Sequence, residues 1–298
     1  MIELSQNTKY KNPIVLGLGF FDGVHLGHRT LIDAVLTVAK QKNYTAGITT
    51  FTNNPNPQSK LLYTYEERKT IFSSLKLDFV LPFNLDSALK NTSPKEFLDF
   101  LTTAYPIKAF VAGHDYSFGK DGLGVVKTLE EYAVKKDIEV VVLPPVSQDG
   151  IRVSSTHIKS LIEFGNLKKA EELLAMPFFV FGKVVRGAGR GKKIGFPTAN
   201  IEVEKDKILP PSGVYLSTAI IQNQSFPSLT HIGAKPTFFD SVPSLETHII
   251  DYNGDLYDQL ITVQFNKKIR EIIKFESSEK LTQQIKKDLL FCKNPAII

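Results

Sequence analysis

Short apolar runs and helix-period segments alternate along the first half of the chain. The stretch from Pro13 to Phe21 is apolar and closed by turn residues, the pattern of a buried strand. His28 to Lys42 then carries Leu31, Ile32, Val35, Leu36, Val38 and Ala39 at helical spacing. Ala46–Phe51 predicts the next strand, Tyr65–Leu75 a helix and Phe79–Leu81 a strand. Ser93–Thr103 predicts a helix with Ser93 as its cap and Pro94 at its first position. Ala109–Ala112 (strand), Thr128–Lys136 (helix) and Glu139–Leu143 (strand) continue the alternation. Such an order implies an open, Rossmann-like parallel sheet whose ligand sites gather at the carboxyl ends of its strands.

The pattern changes in the second half. Ser155–Phe164 and Leu167–Leu174 predict two helices broken at Gly165-Asn166, and Met176-Pro177 marks a boundary. Beyond it, Phe178–Val185, Val214–Ile221, Leu245–Asp251 and Gln259–Phe265 are short runs rich in Val, Ile, Phe and Tyr. They are separated by turn clusters such as Pro210–Gly213, Gln222–Gln224 and Tyr252–Asp255. That arrangement predicts a small antiparallel β-barrel, closed by a helix over Leu281–Leu289. The expected domains are 1–176 and 177–298.

With 298 residues, 42% hydrophobic and 22% charged, the chain has room for two globular domains and departs from disordered or fibrous compositions. No apolar run approaches the roughly 18 residues of a membrane helix. The start, Met1 to Ser5, lacks the basic head and apolar stretch of a signal peptide. A single cysteine, Cys292, fits a cytoplasmic protein. Lys and Arg number 36 against 31 Asp and Glu, a net charge of +5. Four of the cations fall between Arg186 and Lys193 without an acid, beside glycines, which favours a phosphate ligand over a nucleic-acid stripe.

Two phosphate patterns nearly appear and fail. Gly17-Leu-Gly19-Phe-Phe-Asp22 lacks the third glycine of a dinucleotide fingerprint, and Gly187 to Lys193 is not spaced as a Walker A loop. What stands between the first strand and helix is Gly19 to His28. Its two histidines, His25 and His28, can converge at a helix N-terminus that favours anions. Read alone, they are equally a pair of turn histidines or two ligands of an incomplete zinc site.

The surrounding segment resembles the nucleotidyltransferase signature of the bacterial bifunctional riboflavin kinase/FMN adenylyltransferase (FAD synthetase) family. Further blocks follow in the family's order. Gly113 to Gly119 is similar to its Gly-x-Asp-aromatic-x-Phe-Gly loop, and Val153 to Lys159 to its Ser-Ser-Thr triphosphate loop. Gly195 to Asn200 matches the flavokinase Pro-Thr-Ala-Asn motif; Pro211–Tyr215, Ile232–Phe238 and Glu246–Tyr257 complete seven blocks spread over nearly the whole chain.

The resemblance implies a nucleotidyltransferase domain over 1–176 and a riboflavin kinase-like barrel over 177–298. It implies phosphorylation of riboflavin to FMN by ATP, then adenylylation of FMN to FAD, with Mg²⁺. Glu246 takes the role of kinase base, because the ribityl alcohol must be helped to lose its proton. Thr198 and Asn200 supply hard oxygen ligands for Mg²⁺. Gly187, Gly189, Arg190, Lys192, Gly195 and Pro197 would surround the kinase's ATP. In the first half, His25 and His28 serve adenylyl transfer, and Gly19, Phe20, Asp22, Gly23, Ser154, Ser155, Thr156 and Lys159 bind ATP and its phosphates. That nucleophile, the FMN phosphate, is already an anion at pH 7 and needs repulsion relieved more than a base. Asp115, Phe118, Tyr215 and Arg270 are the expected flavin contacts. The implied partners are flavins and ATP, without nucleic acid or membrane, and no oligomeric state is implied.

The chain departs from the family pattern at a few places. Asn54 stands where a histidine is usual, Lys159 where an arginine is common, Asp258 where glycine is usual and Ile272 where a glutamate is often found. Asn54 cannot carry positive charge, and Lys159 exchanges a bidentate fork for a point charge. They set out alternatives: a kinase with an impaired first domain, or a flavin- or nucleotide-binding regulator.

Overall fold

The computed structural model describes residues 1–4, 10–187, 189–233 and 244–292, with the backbone alone at Arg190. Its contacts divide the chain into two compact units, Met1–Ser155 and Thr156–Ile298. The composition switch at Met176-Pro177 falls later, because the second of the two helices before it packs on the barrel that follows.

In the first unit the elements are β1 (Ile2–Glu3), β2 (Ile14–Leu18), α1 (Leu26–Lys42), β3 (Thr45–Phe51), α2 (Tyr65–Ser73) and β4 (Phe79–Phe83). They continue as α3 (Ser87–Asn91), α4 (Pro94–Ala104), β5 (Ile107–Gly113), β6 (Ser117–Phe118), β7 (Gly124–Val125) and α5 (Val126–Lys136). Last come β8 (Glu139–Leu143), β9 (Ser147–Gln148) and β10 (Ile151–Arg152). Six strands form one parallel sheet in the order β1-β4-β3-β2-β5-β8. Every residue of β2 is buried, as a strand covered on both faces requires. The chain winds one way from β2 to β3 and the other from β2 to β5, so the switch point, where ligands bind in such sheets, lies at the carboxyl end of β2. Local signals agree with the fold: Ser93 and Glu96 form a capping box around Pro94 at the start of α4.

The second unit opens with α6 (Ser155–Glu163, its first residue shared with the first unit) and α7 (Leu167–Leu174), followed by β11 (Phe179–Val185), α8 (Arg190–Lys193) and β12 (Ala199–Ile201). Next are β13 (Gly213–Ile221), β14 (Gln224–Gly233), β15 (Ser244–Ile249), β16 (Leu260–Arg270) and α9 (Ser278–Cys292). Strands β11-β12-β15-β14-β13-β16 close into an antiparallel barrel. The strand pattern predicts neither β12 nor β14. In β14 the inward positions Ser228 and Thr230 are polar, and the barrel accepts them by pairing hydroxyls. Ser217 Oγ lies 2.8 Å from Ser228 Oγ and 2.7 Å from Thr230 Oγ1, which lies 2.9 Å from Thr247 Oγ1. Gln222 and Asn223, both at positive φ (48° and 66°), make the tight β13–β14 turn. Arg270 at the end of β16 grips Asp288 of α9, with Nε–Oδ2 at 2.9 Å and Nη2–Oδ2 at 2.7 Å, fastening that helix to the barrel.

Candidate functional site

At the switch point of the first unit, a cavity of about 260 Å³ is walled by three strand ends: Leu18-Gly19 after β2, Gly113–Tyr116 after β5 and Leu143–Val146 after β8. His25, His28 and Arg152–Ser155 complete it. His25 is the N-cap of α1: its Nδ1 accepts the backbone N–H of His28 at 3.3 Å. In the neutral ring this leaves the proton on Nε2. The two imidazoles stack with centroids 3.7 Å apart and planes 10° from parallel. Burial pushes His25 down to about 4. Burial, then the neighbouring His25 and Arg68, hold His28 well below the usual histidine range. Both rings are uncharged near neutrality and act by hydrogen bonding; Nδ1 of His28 has no partner among the described residues. Standing positive charge at the cavity comes instead from Arg152, paired with Asp115.

The loop before α1 is held from several sides. Thr49 Oγ1 accepts the Gly19 N–H at 3.2 Å, and Thr50 Oγ1 donates to the Phe20 carbonyl at 2.7 Å. Asp22 turns its carboxylate inward, where it accepts the Leu62 N–H at 2.9 Å. The Asp22 carbonyl accepts the Ser155 hydroxyl at 2.7 Å, joining this loop to the Ser154-Ser155 segment. Within it Phe21 and Val24 have φ of 59° and 45°. A β-branched residue there is strained by about 1–3 kcal/mol and persists only where its surroundings over-determine it.

Of the residues the sequence singles out, Gly19, His25, His28, Asp115, Ser154 and Ser155 meet at this cavity, while Phe20, Asp22 and Gly23 shape the loop behind it. Thr156 and Lys159 lie one and four residues beyond Ser155 on the first turns of α6. Phe118 is buried, stacked on Tyr116 (5.4 Å) and against Phe97 (5.9 Å) in the core under the sheet. Tyr116 and Arg152 line the cavity and were not singled out. The signal for each was adjacency, Tyr116 beside Asp115 and Arg152 two residues before Ser154. Asn54 braces its own loop, its Nδ2 donating to the Ser59 carbonyl at 2.8 Å and its Oδ1 accepting the Asn56 N–H at 3.1 Å.

In the second unit, alternation along β15 buries Leu245, Thr247 and Ile249 inside the barrel and turns Ser244, Glu246 and His248 outward. Glu246 stands directly opposite Asn200 of β12 on one side and His231 of β14 on the other. Opposed side chains of this kind start about 5 Å apart at Cβ. Burial pushes the His231 imidazole down, with the Glu246 charge pulling it up and Arg270 pushing it down. No hydrogen bond or ion pair among the described residues engages the Glu246 carboxylate.

The glycine-rich loop folds directly onto the Pro-Thr-Ala-Asn segment. A Cβ at Gly187 would stand 2.3–2.7 Å from the Asn200 amide, and one at Gly191 2.3 Å from the Phe196 carbonyl and 3.4 Å from Thr198 Oγ1. Only glycine permits this approach. Beside it lies a cavity of about 440 Å³ lined by Lys192, Thr198, Tyr252 and Tyr257 among others. Arg186 stacks over the Tyr257 ring at 5.2 Å. A second hollow of similar size lies between the outer face of β15 and α9, lined by Phe196, His248, Ile250, Leu289 and Leu290. The two share Pro197, Ile249, Tyr252 and Asn253 as a partition.

Gly187, Lys192, Gly195, Pro197, Thr198, Asn200 and Glu246 thus belong to one neighbourhood, and exposed Gly189 at φ 65° caps the four-residue α8. The Arg190 side chain and residues 234–238 of the Ile232–Phe238 block lie outside the described residues. Tyr215 points into the barrel, its hydroxyl donating to the Pro211 carbonyl at 2.5 Å, and Arg270 is committed to Asp288. Asp258 occupies a left-handed backbone position, φ 65°, which accounts for the family's glycine there. Its carboxylate pairs with Lys183 at 2.7 Å. Ile272 is exposed.

Among the described residues no group of three or more His, Cys, Asp or Glu forms a metal cage. Thr198 and Asn200 fit Mg²⁺ in another way. Both are hard oxygen donors, no hydrogen bond among the described residues occupies either side chain, and a Cβ at Gly187 would fill the space beside Asn200. Magnesium is commonly held by such a sparse protein set with phosphate oxygens supplying the rest.

Comparison with known proteins covers both units. Residues 7–157 match the FAD synthetase family model and residues 174–295 the riboflavin kinase model. The bifunctional riboflavin kinase/FMN adenylyltransferases of Bacillus subtilis and Listeria monocytogenes are 32% and 33% identical, each match covering 92% of this chain and 90% of the relative. That of Escherichia coli is 30% identical over 93% of this chain and 90% of its own length. A crystal structure described as a macrolide-efflux protein from Streptococcus pneumoniae superposes with a TM-score of 0.86 at 30% identity, covering 99% of both chains. Among the described residues of this chain, no helix is long and apolar enough to cross a membrane. The match over nine-tenths of chain and relatives alike, carried by both family models, places this chain in the bifunctional riboflavin kinase/FMN adenylyltransferase family.

Proposed function

We propose that this chain phosphorylates riboflavin with ATP in its barrel unit and adenylylates the resulting FMN to FAD in its parallel-sheet unit. The activities are assigned to 177–298 and 1–176, with ATP and flavins as small-molecule partners and the cytoplasm as the site of action. The observation that carries the kinase reading is the Glu246 carboxylate, without a hydrogen bond or ion pair among the described residues, directly opposite Asn200, with Gly187 closed on that asparagine.

Glu246 accepts the proton of the ribityl primary hydroxyl as its oxygen attacks the γ-phosphorus of ATP and ADP departs. Thr198 and Asn200 would hold Mg²⁺, which neutralises charge on the ATP phosphates. Lys192 and the backbone of the glycine loop hold the triphosphate in the cavity beside Thr198. The flavin ring takes the apolar hollow between His248 and Leu289-Leu290, because His248 is two residues along the same strand face from Glu246. This assigns ring contact to α9 and leaves Tyr215 and Arg270 to hold the walls.

In the first unit, a phosphate oxygen of FMN attacks the α-phosphorus of ATP and pyrophosphate leaves. His25 offers Nε2–H, His28 its imidazole at the cavity wall, Ser154 and Ser155 their hydroxyls, and Arg152 exchanges Asp115 for phosphate. Asn54 lies outside this set, so its replacement of a histidine removes no donor from the cavity. Incubation with riboflavin, ATP and Mg²⁺ followed by chromatography of the flavins tests the proposal. FAD accumulation is expected; FMN alone would confine the activity to the barrel, and unchanged riboflavin would refute it.

A further inference from the structure

Arg68 of α2 is wholly buried, and its guanidinium reaches away from its own helix into the loop that carries the histidines. Nε donates to the Tyr63 carbonyl at 3.3 Å, Nη1 to the Phe20 carbonyl at 2.9 Å and Nη2 to the Phe51 carbonyl at 2.7 Å. Nη1 also meets Thr50 Oγ1, whose own proton goes to the Phe20 carbonyl. The guanidinium carbon stands 4.6 Å from the centroid of the Phe20 ring. One planar fork therefore ties together three segments: the β2–α1 loop, the end of β3 and the turn before α2. These four acceptors are neutral, so these contacts act through directed geometry, beside the charge that helps hold the His28 imidazole uncharged.

One residue past the carbonyl it holds, the backbone enters the left-handed region at Phe21, and it returns there at Val24, immediately before the His25 cap. A valine at that torsion stays only while its neighbours forbid the relaxed alternative. We infer that Arg68 is a positioning residue for adenylyl transfer, its guanidinium clasp holding the strained Phe20–Val24 turn in the conformation that presents His25 and His28 to the cavity. The inference rests on reading that cavity as the adenylylation site. The two fail separately: a His28→Ala protein that still forms FAD normally sinks the site, whereas the variants below address the clasp alone.

The experiment uses the full chain and assays FAD formation from supplied FMN beside FMN formation from riboflavin. Arg68→Lys keeps the charge but cannot serve three divergent carbonyls. Its adenylylation kcat is expected to fall about 10- to 100-fold, with riboflavin phosphorylation unchanged. Adding Val24→Gly, which adopts the left-handed torsion freely, is expected to restore about tenfold of that loss, because the turn no longer depends on the clasp. A residue needed only for core stability would gain nothing from relaxing Val24. Parental kcat in Arg68→Lys, or a double variant as slow as the single, overturns the inference. Should Arg68→Lys not accumulate as folded protein, Thr50→Val decides: it deletes one bridging hydroxyl at nearly constant shape. A several-fold loss relieved by Val24→Gly is expected there, and parental kcat or an unrelieved loss overturns the inference.

Discussion

The two candidate sites, read as serving the same nucleotide, are built in opposite ways. The cavity of the first unit is made of uncharged imidazoles, hydroxyls and a helix start, set on a strained loop behind which a buried arginine and Asp22 do the holding. That of the second is an outward-facing carboxylate on a regular strand, with a glycine loop laid over two oxygen donors. The contrast follows from the nucleophiles. A phosphate arriving as an anion needs donors in place beforehand, which favours a rigid, preorganised pocket. An alcohol needs a base that is ionised at neutral pH, which favours a carboxylate left near water. The first loop places a β-branched residue, Val24, at a left-handed torsion, whereas β15, which presents the acid, has none within its span.

The sharpest way to break this comparison is Glu246→Gln. It should reduce FMN formation by about 10²–10⁴-fold, the range for loss of a general base, and leave FAD formation from supplied FMN intact. Equal loss of both would mean the acid serves the fold. His28→Ala is the mirror experiment: FAD formation should fall about 10²-fold, as for removal of one preorganised donor, with riboflavin phosphorylation unaffected. Next in size is Gly187→Ala. The added methyl must displace the Asn200 amide, a strain of about 1–3 kcal/mol. It should lower kinase kcat/KM about 10- to 100-fold; an unchanged value would show that Asn200 takes no part. The last effect is on stability and leaves the activities at neutral pH untouched. His25 titrates at about 4 in the folded protein against 6.5 unfolded. The unfolded chain therefore binds a proton that the native one refuses, and stability present above pH 6.5 is lost as pH falls toward 4. Full loss is on the order of 3 kcal/mol, and His28 adds in the same direction. Denaturant titration of the full chain at pH 7 and pH 4.5 should show the first unit weakening relative to His25→Phe; parallel curves would place the imidazole in water.

Much of the architecture was legible because apolar period and caps act locally. Glu139–Leu143 and Leu167–Leu174 form as their spacing predicts, and Ser93-Pro94 begins α4. β14 was hidden because its inward face carries Ser228 and Thr230, whose burial makes sense only once Ser217 and Thr247 are known to meet them. The histidines and the Ser154-Ser155 pair could be named from the motif, yet their neutral state could not, since it depends on walls from three strand ends. Nor could the motif show what engages its side chains within the fold: Phe118 packs on Tyr116, the Tyr215 hydroxyl donates to a carbonyl and Arg270 pairs with a buried acid. Arg68 had no local signal at all, because the groups it serves lie up to 48 residues away.

The aspartate at 258 bears on how members of this family are recognised. Where a turn demands a left-handed torsion, what is inherited is the bend, and any short polar side chain that tolerates the bend can stand in for the smallest one. A search pattern insisting on glycine after Tyr257 would have passed over this protein; one phrased as an allowed backbone shape, with Lys183 nearby as an ionic anchor, would have kept it.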